Sequence, residues 1–566
     1  VARLQGLYVQ AGDRHSLAAL LERRLEHTTD PEERIAIEVA RGRALAEVGE
    51  PVAAKAALAA ALDSDPDHLE ALQAFAELCL AQGDWAGGEQ ALIRLGRRST
   101  SAEQQAEIYR KLGELYDEAL PDPERAELAY LEVLKRSPDD AAAIERLVNV
   151  YARMGAADKA VALQTEVLQG AKTAEERRDR TVRLALVHDQ QASDRKAAEQ
   201  LLEKARKEWP HDAAVLRALA DLYFRAGESR TAHVLLDRAA ADARRALVTG
   251  RFESVLFETL ATVAELRGAP ETAAVAHSTL SALQGDELPV RGAGPSAGDA
   301  QLDTLLAPDL LSAALRSLLI KTGQVLDAAY PLDLRSLRAA PLGERARDFG
   351  SYVQQLGRAF GFASLELLVS PVVGATCLPA TSKPPTLVFG QELLDTDDDA
   401  ARYCLVIRAL KILQGRASTM ARTAPIDLWP LTAGLLSVFA PSWTPQGVDA
   451  RKLAEARARI TAELPPRMDE EVTPLALEVS ALIGNRASQL ATAVYQWGNR
   501  CALLAVGDPL AMLRAIAMAS GNVSTLPAQG PERLKWIVRN AEARDLAIFS
   551  VSEPYADARR RLGLGT

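Results

Sequence analysis

Histidine, the side chain most often used to hold zinc or to move a proton near neutral pH, is confined to the first half of this sequence. All seven lie there: His15, His27, His68, His188, His211, His233 and His277. Residues 301–566 contain none, so no Ser-His-Asp or Cys-His arrangement can form within that stretch. An arrangement reaching across from the first half is the alternative left open. The four cysteines, Cys79, Cys377, Cys404 and Cys501, are widely separated with no CxxC pair. That speaks against a zinc ribbon or a disulfide framework and for a reducing compartment, the cytoplasm in the simplest case. Cys404 and Cys501 sit in apolar helical contexts and read as buried rather than nucleophilic.

Other residue groups with possible chemistry have simpler readings. An EF-hand loop beginning at Asp395 would need glycine at its sixth position and glutamate at its twelfth; Ala400 and Val406 stand there,. Asp395, Asp397, Asp398 and Asp399 therefore read as the acidic start of a helix, where carboxylates suit the positive end of the dipole. Gly292, Gly294 and Gly298 follow no strand and lack the GxGxxG register, so no nucleotide loop is expected. Arg408 and Arg500 have the chemistry to bind a carboxylate, but structural arginine is the simpler assignment. No cofactor and no metal are implied.

Composition sets the outer limits. At 566 residues with 48% hydrophobic and 25% charged side chains, the chain has room for two or three domains with real cores,. A net charge of -10 argues against a general nucleic-acid binder,. The basic runs Arg177-Arg178-Asp179-Arg180 and Arg559-Arg560-Arg561 are interrupted or terminal and read as solvated faces. No run approaches the roughly 18–20 apolar residues of a membrane span, and Leu435–Ala440 is too short for one. The sequence opens at Val1 already inside a helical pattern, which reads as the tail of a longer protein.

The elements that must carry these residues are mostly helices in a repeat. Pro66, Pro138 and Pro210 lie 72 residues apart, twice a unit of about 36, each where one helix ends and the next pair begins,. Gly12, Gly49, Gly83, Gly155, Gly227 and Gly268 fall where a left-handed residue would close a first helix,. Within residues 213–246, Leu216, Leu219, Ala220 and Tyr223, then Ala232, Leu236 and Ala239, place apolar and small groups on one helical stripe each,. Comparable sets are Leu72, Phe75, Ala76 and Leu92; Tyr109, Leu112, Gly113, Tyr116 and Ala126; and Ile144, Leu147, Tyr151 and Ala160.

This pattern resembles the tetratricopeptide repeat. Departures are Cys79 where an aromatic is usual, loose first and last units, and a 177–212 unit without a clear turn glycine. Stacked units of this kind create one continuous core and an extended surface that holds a protein or peptide partner.

Residues 286–300, rich in glycine, proline and small side chains, read as a linker. The expected order is therefore a repeat region at 1–285, the linker, and a second domain at 301–566. In that domain 301–361 reads as helical, including 348–360. Ser364–Ser370 and Pro385–Gly390 read as strands separated by a proline-rich loop, and a helix is expected over 398–414. A charged helix at 449–464, an apolar one over about 474–506 and a final helical stretch ending at Arg561 follow. Trp429, Trp443, Trp497 and Trp536 read as core anchors.

Val388–Leu394, the acidic turn and Ala401–Ile412 resemble the segment of gluzincin-type HExxH metallopeptidases that leads into their zinc helix. Ala493–Asp508 is similar to the later helix that supplies a glutamate ligand and, four residues on, an aspartate. The resemblance implies a zincin-like domain with its zinc-site positions changed: Arg408 and Ile412 for the two histidines, Ala409 for the general base, Tyr495 and Asn499 for the later acidic pair. None of these can bind zinc or activate water in the family's manner.

The fold expected is mainly α: a tetratricopeptide-like α-solenoid followed by an α+β, mostly helical, degenerate zincin-like domain. The function expected is a noncatalytic scaffold. In it the solenoid recruits a protein or peptide partner and the second domain docks or regulates, as part of a larger assembly such as an envelope or motility factor. The alternative from another class is a hydrolase with an unconventional site in the second domain.

Overall fold

The computed structural model describes residues 2–466, 471–521, 526–528 and 530–564. The chain divides into two compact units, Val1–Glu208 and Trp209–Thr566. This division falls ahead of the 286–300 segment that composition marks as a linker.

The first unit is built of helical hairpins, among them Leu69–Ala81 with Trp85–Arg98 and Ala141–Met154 with Ala157–Gln169. The turn glycines do what their spacing predicts: Gly12, Gly49, Gly83 and Gly155 have φ of 70°, 87°, 72° and 66°. In the unit without a turn glycine, Ser193 takes the left-handed conformation with φ 52°. Where the turn after Gly113 also lacks one, the helix ends instead in a π-helical turn, Leu115–Ala119, closed by Leu120 N–H on Leu115 O at 2.8 Å,. Aspartate, serine and threonine cap the starts: Asp30, Asp84, Asp122, Asp140 and Thr173 accept backbone N–H groups,. The Thr173 capping box is displaced by one residue, since Glu176 reaches back to Lys172 N–H at 2.7 Å,. The apolar stripes form several separate clusters, each spanning neighbouring hairpins, as around Leu112, Tyr130 and Leu147,.

The second unit gathers its helices, including the hairpin Ala213–Arg225 with Ser229–Val248, around one large core that runs from Leu216 to Ala558. Gly227 and Gly268 close hairpin turns here too, with φ of 76° and 67°. A four-stranded sheet in the order β1-β2-β4-β3 joins β1 (Ala340–Pro341), β2 (Glu366–Ser370), β3 (Cys377–Ser382) and β4 (Pro385–Gly390). Strands β2 and β4 are parallel, and β3 closes the edge antiparallel to β4. The expected strands are β2 and β4. The proline-rich loop expected between them contains β3, whose Pro379 lies in an edge strand, where a missing N–H costs no ladder bond,. The expected helix over 301–361 is broken: Ala313–Ala329 and Arg347–Ala359 flank an irregular stretch that holds β1.

The glycine-rich 286–300 segment is packed rather than loose. Val290 and Ala293 N–H bond Gly507 O and Leu504 O, each at 2.9 Å, and Ala297 is fully buried. A Cβ on Gly298 would stand 3.0 Å from the Phe360 ring. Small residues here permit close backbone approach, a use of glycine that composition cannot tell from flexibility. In the terminal basic run Arg560 and Arg561 are exposed as expected, but Arg559 is only 2% exposed, donating to Arg291 O at 2.9 Å with the Glu271 carboxylate 3.6 Å away.

Candidate functional site

Two places merit attention, one in each unit. In the second, helix Asp399–Gln414 follows β4 directly after the short turn Gln391–Leu394. The aspartates before it cap and pair: Asp398 accepts Ala401 N–H at 3.0 Å and Arg514 Nε–H at 2.7 Å. Nearly the whole helix is buried, from Cys404 to Leu413, so its charged residues must find partners inside,. Lys411, fully buried, pairs with Asp303, donates to Gln414 Oε1 at 2.8 Å and lies 5.1 Å from the Trp497 ring centroid.

Arg408 is the centre of the second cluster on this helix. Its Nη2 donates to Thr376 Oγ1 at 2.9 Å, its Nη1 lies 3.6 Å from Glu542 Oε2, and its guanidinium sits 5.0 Å from the Tyr495 ring centroid. Asn499 Nδ2 donates to the same Glu542 oxygen at 2.7 Å. Helix Leu490–Val506 carries Tyr495 and Asn499 and comes close because residue 498 is glycine; a Cβ there would lie 2.8 Å from Arg408 O. Burial pushes the Tyr495 phenol up, and the nearby Arg408 charge only partly opposes that,.

The structure thus brings together three of the five positions that the metallopeptidase resemblance singled out, Arg408, Tyr495 and Asn499. Ala409 and Ile412 are fully buried in the apolar core instead. A guanidinium, a phenol and an amide beside two alkyl groups do not fit a zinc ion, which wants imidazole, thiolate or carboxylate. Among the described residues no cluster of three or more His, Cys, Asp or Glu is arranged to hold a metal. Glu542, which sequence reasoning missed, supplies the carboxylate that neutralises Arg408. It sits in the first turn of helix Ala541–Ser550, capped by Asn540. That cap is visible in sequence; the partner is not.

The other residues with possible chemistry are accounted for by packing. Arg500 makes a two-pronged bond to Asp545, Nε to Oδ2 at 2.9 Å and Nη2 to Oδ1 at 2.6 Å,. All four cysteines are buried free thiols. Burial raises each of them, Cys79 to about 11 and Cys501 to about 12, so none is a thiolate near neutral pH,.

The first unit offers a different kind of site. Helices Leu69–Ala81, Trp85–Arg98 and Ala102–Glu114 enclose an open groove of about 370 Å³. Leu80, Leu92, Leu95 and Ile108 form its apolar lining. The alternation arises from helical spacing: Leu72 and Ala76 are buried, while Glu70, Gln73 and Glu77 on the same helix stand exposed along the groove,. Sequence reasoning expected a binding surface here without naming residues, because the groove exists only once adjacent hairpins stack.

Residues 45–112 and 190–249 match the family model described as tetratricopeptide repeat. No curated protein matches the sequence. Among solved structures, the pilF protein of Pseudomonas aeruginosa is 17% identical, covering 38% of this chain and 92% of its own, with a TM-score of 0.25. A tetratricopeptide repeat protein from Parabacteroides merdae is 17% identical over 44% of this chain and 93% of its own, with a TM-score of 0.23. YrrB, described as a TPR protein with an unusual peptide-binding site, is 17% identical over 36% of this chain and 98% of its own, with a TM-score of 0.26. The matched segments coincide with the helical hairpins seen here, and the helical repeats of this chain are tetratricopeptide-like.

Proposed function

We propose that this protein is a noncatalytic scaffold for protein–protein contacts. Its repeat hairpins recruit a peptide segment of a partner protein. Its second unit keeps a metallopeptidase-like arrangement, strand β4 leading through an acidic turn into a buried helix, after losing the zinc site, and serves in docking or regulation. The observation that carries the reading is Arg408, buried and paired to Glu542 where the resembled enzymes need a metal-binding histidine. A fixed positive charge at that place repels a cation, and its carboxylate partner is already engaged by Asn499,. The groove on the tetratricopeptide-like hairpins supports the recruiting half of the reading. Among the described residues no helix is long and apolar enough to cross a membrane. The scaffold is assigned to a reducing compartment, in keeping with its buried free thiols,.

Zinc analysis of the purified full chain, combined with a broad fluorogenic peptide library, tests this. The expected result is no stoichiometric metal and no turnover. Stoichiometric metal accompanied by hydrolysis would overturn the scaffold reading in favour of an unconventional hydrolase.

A further inference from the structure

The groove in the first unit has a charge pattern that narrows what it can hold. Helix Leu69–Ala81 carries two acidic residues, Glu70 and Glu77, and no lysine or arginine. Glu107 joins them from helix Ala102–Glu114, so three glutamates line the groove against one cation, Lys111. Lys111 is already 4.0 Å from Glu77. The neighbouring Arg110 and Arg43 do not line the groove; Arg110 bonds Asp140 at 2.7 Å and pairs with Glu107, and Arg43 lies 3.6 Å from Glu70, so a partner's cations compete with these pairs. The side chains of Glu70, Glu77 and Glu107 keep 68%, 55% and 53% of their surface exposed, around an apolar lining that includes Leu80, Leu92 and Ile108.

Resting on the reading of this groove as a protein-binding site, we propose that its occupant is a cationic amphipathic segment of a partner protein. Apolar side chains of that segment lie against Leu80, Leu92, Leu95 and Ile108, and its lysine or arginine residues meet Glu70, Glu77 and Glu107. An acidic segment is disfavoured because it would bring like charges together along the groove. Gln73 and Gln104 also line the groove, Gln73 Nε2 donating to Glu77 Oε1 and Gln104 Oε1 accepting from Ser99 Oγ, each at 3.1 Å; a peptide backbone would compete for these amides,. The geometry is that of an amphipathic segment laid into a groove between helices, with charge choosing the partner.

The test uses the full chain and three fluorescent peptides of about 12 residues with identical leucine positions, their polar positions filled by lysine, glutamine or glutamate. Fluorescence anisotropy should show binding of the lysine peptide. Raising NaCl from about 0.05 M to about 0.3 M should weaken it at least about fivefold. The double variant Glu77→Lys/Glu107→Lys should weaken it at least about tenfold. The control Glu26→Lys/Glu166→Lys has the same net charge, alters exposed residues outside the groove, and should bind as the parent does. If the groove variant melts differently by circular dichroism, Glu77→Gln/Glu107→Gln makes the same comparison with less perturbation. Equal or tighter binding of the glutamine or glutamate peptide, abolished by Leu80→Asp, would overturn the cationic assignment while leaving the groove as a binding site. Absence of binding by all three, or equal loss in the control variant, would overturn the groove reading itself.

Discussion

The two units of this chain bury apolar surface in opposite ways. In Val1–Glu208 each hairpin packs on its neighbours and the core is a series of clusters, whereas in Trp209–Thr566 a dominant cluster, beside a small one around Val388 on the sheet, collects side chains from residues more than 300 positions apart. The polar groups differ in the same sense. Ion pairs of the first unit are largely at the surface, as between Arg98 and Asp67, while those of Arg408 and Lys411 on helix Asp399–Gln414 are inside. A serial core leaves a surface between repeats free for a partner; a single core turns polar side chains inward and uses them to hold the fold.

The sharpest way to break this comparison is to open a cavity in each unit. Trp497→Ala and Tyr130→Ala remove two of the largest fully buried side chains, and each should cost about 3–5 kcal/mol,. Hydrogen exchange read by mass spectrometry should show protection lost throughout Trp209–Thr566 for Trp497→Ala. For Tyr130→Ala the loss should concentrate in the hairpins spanning 102–154,. Even loss over the whole first unit would contradict the serial description.

The next effect concerns the inward charges. Glu542→Ala leaves Arg408 buried without its carboxylate and should lower stability by about 2 kcal/mol in urea unfolding,. The paired change Arg408→Met/Glu542→Leu should recover most of that. A paired variant no better than the single one would mean that the contacts to Thr376 and Tyr495, not the charge pair, hold this corner together.

Of similar size is Gly113→Ala, whose added methyl would come 2.6 Å from the Tyr130 ring; overpacking should cost about 1–3 kcal/mol,. Thermal melting of the full chain reads it, and an unchanged transition would show that the hairpin interface yields more readily than a close-packed core.

A pH effect follows at about 1 kcal/mol. The Cys501 thiol is raised from 9.0 to about 12 by burial, so its neutral form is favoured in the folded state. Its contribution is complete below pH 9, where the thiol is neutral folded or unfolded. It is lost as pH rises from 9 towards 12, since the unfolded chain ionises first. Cys501→Ala should remove this thiol's share of the alkaline loss, the other three buried cysteines keeping theirs, measured by urea midpoints at pH 7 and pH 10. At the small end, Arg98→Ala removes an exposed pair and should change stability by no more than about 0.5 kcal/mol,.

Legibility divides along similar lines. The turn glycines were readable because a left-handed φ is a local demand that glycine meets at least cost,. Strands β2 and β4 and helix Asp399–Gln414 were readable from alternation, proline and capping. Strand β3 was not: Cys377–Ser382 contains proline, shows no clean alternation and became a strand by pairing with β4,. At the candidate zinc positions the sequence identified Arg408, Tyr495 and Asn499, which do converge, but gave no means of finding Glu542 on a third helix.

Residue order alone determined the repeat, its turns and the absence of histidine from the second half, because each is a property of neighbouring positions or of composition. Tertiary structure decided the rest. The groove at Leu80 and Ile108, the carboxylate facing Arg408 and the tight seating of residues 286–300 all depend on surfaces brought together from distant parts of a unit. Such contacts are selected by shape and by the cost of leaving polar groups unpaired away from water, and neither is written in the spacing of one segment.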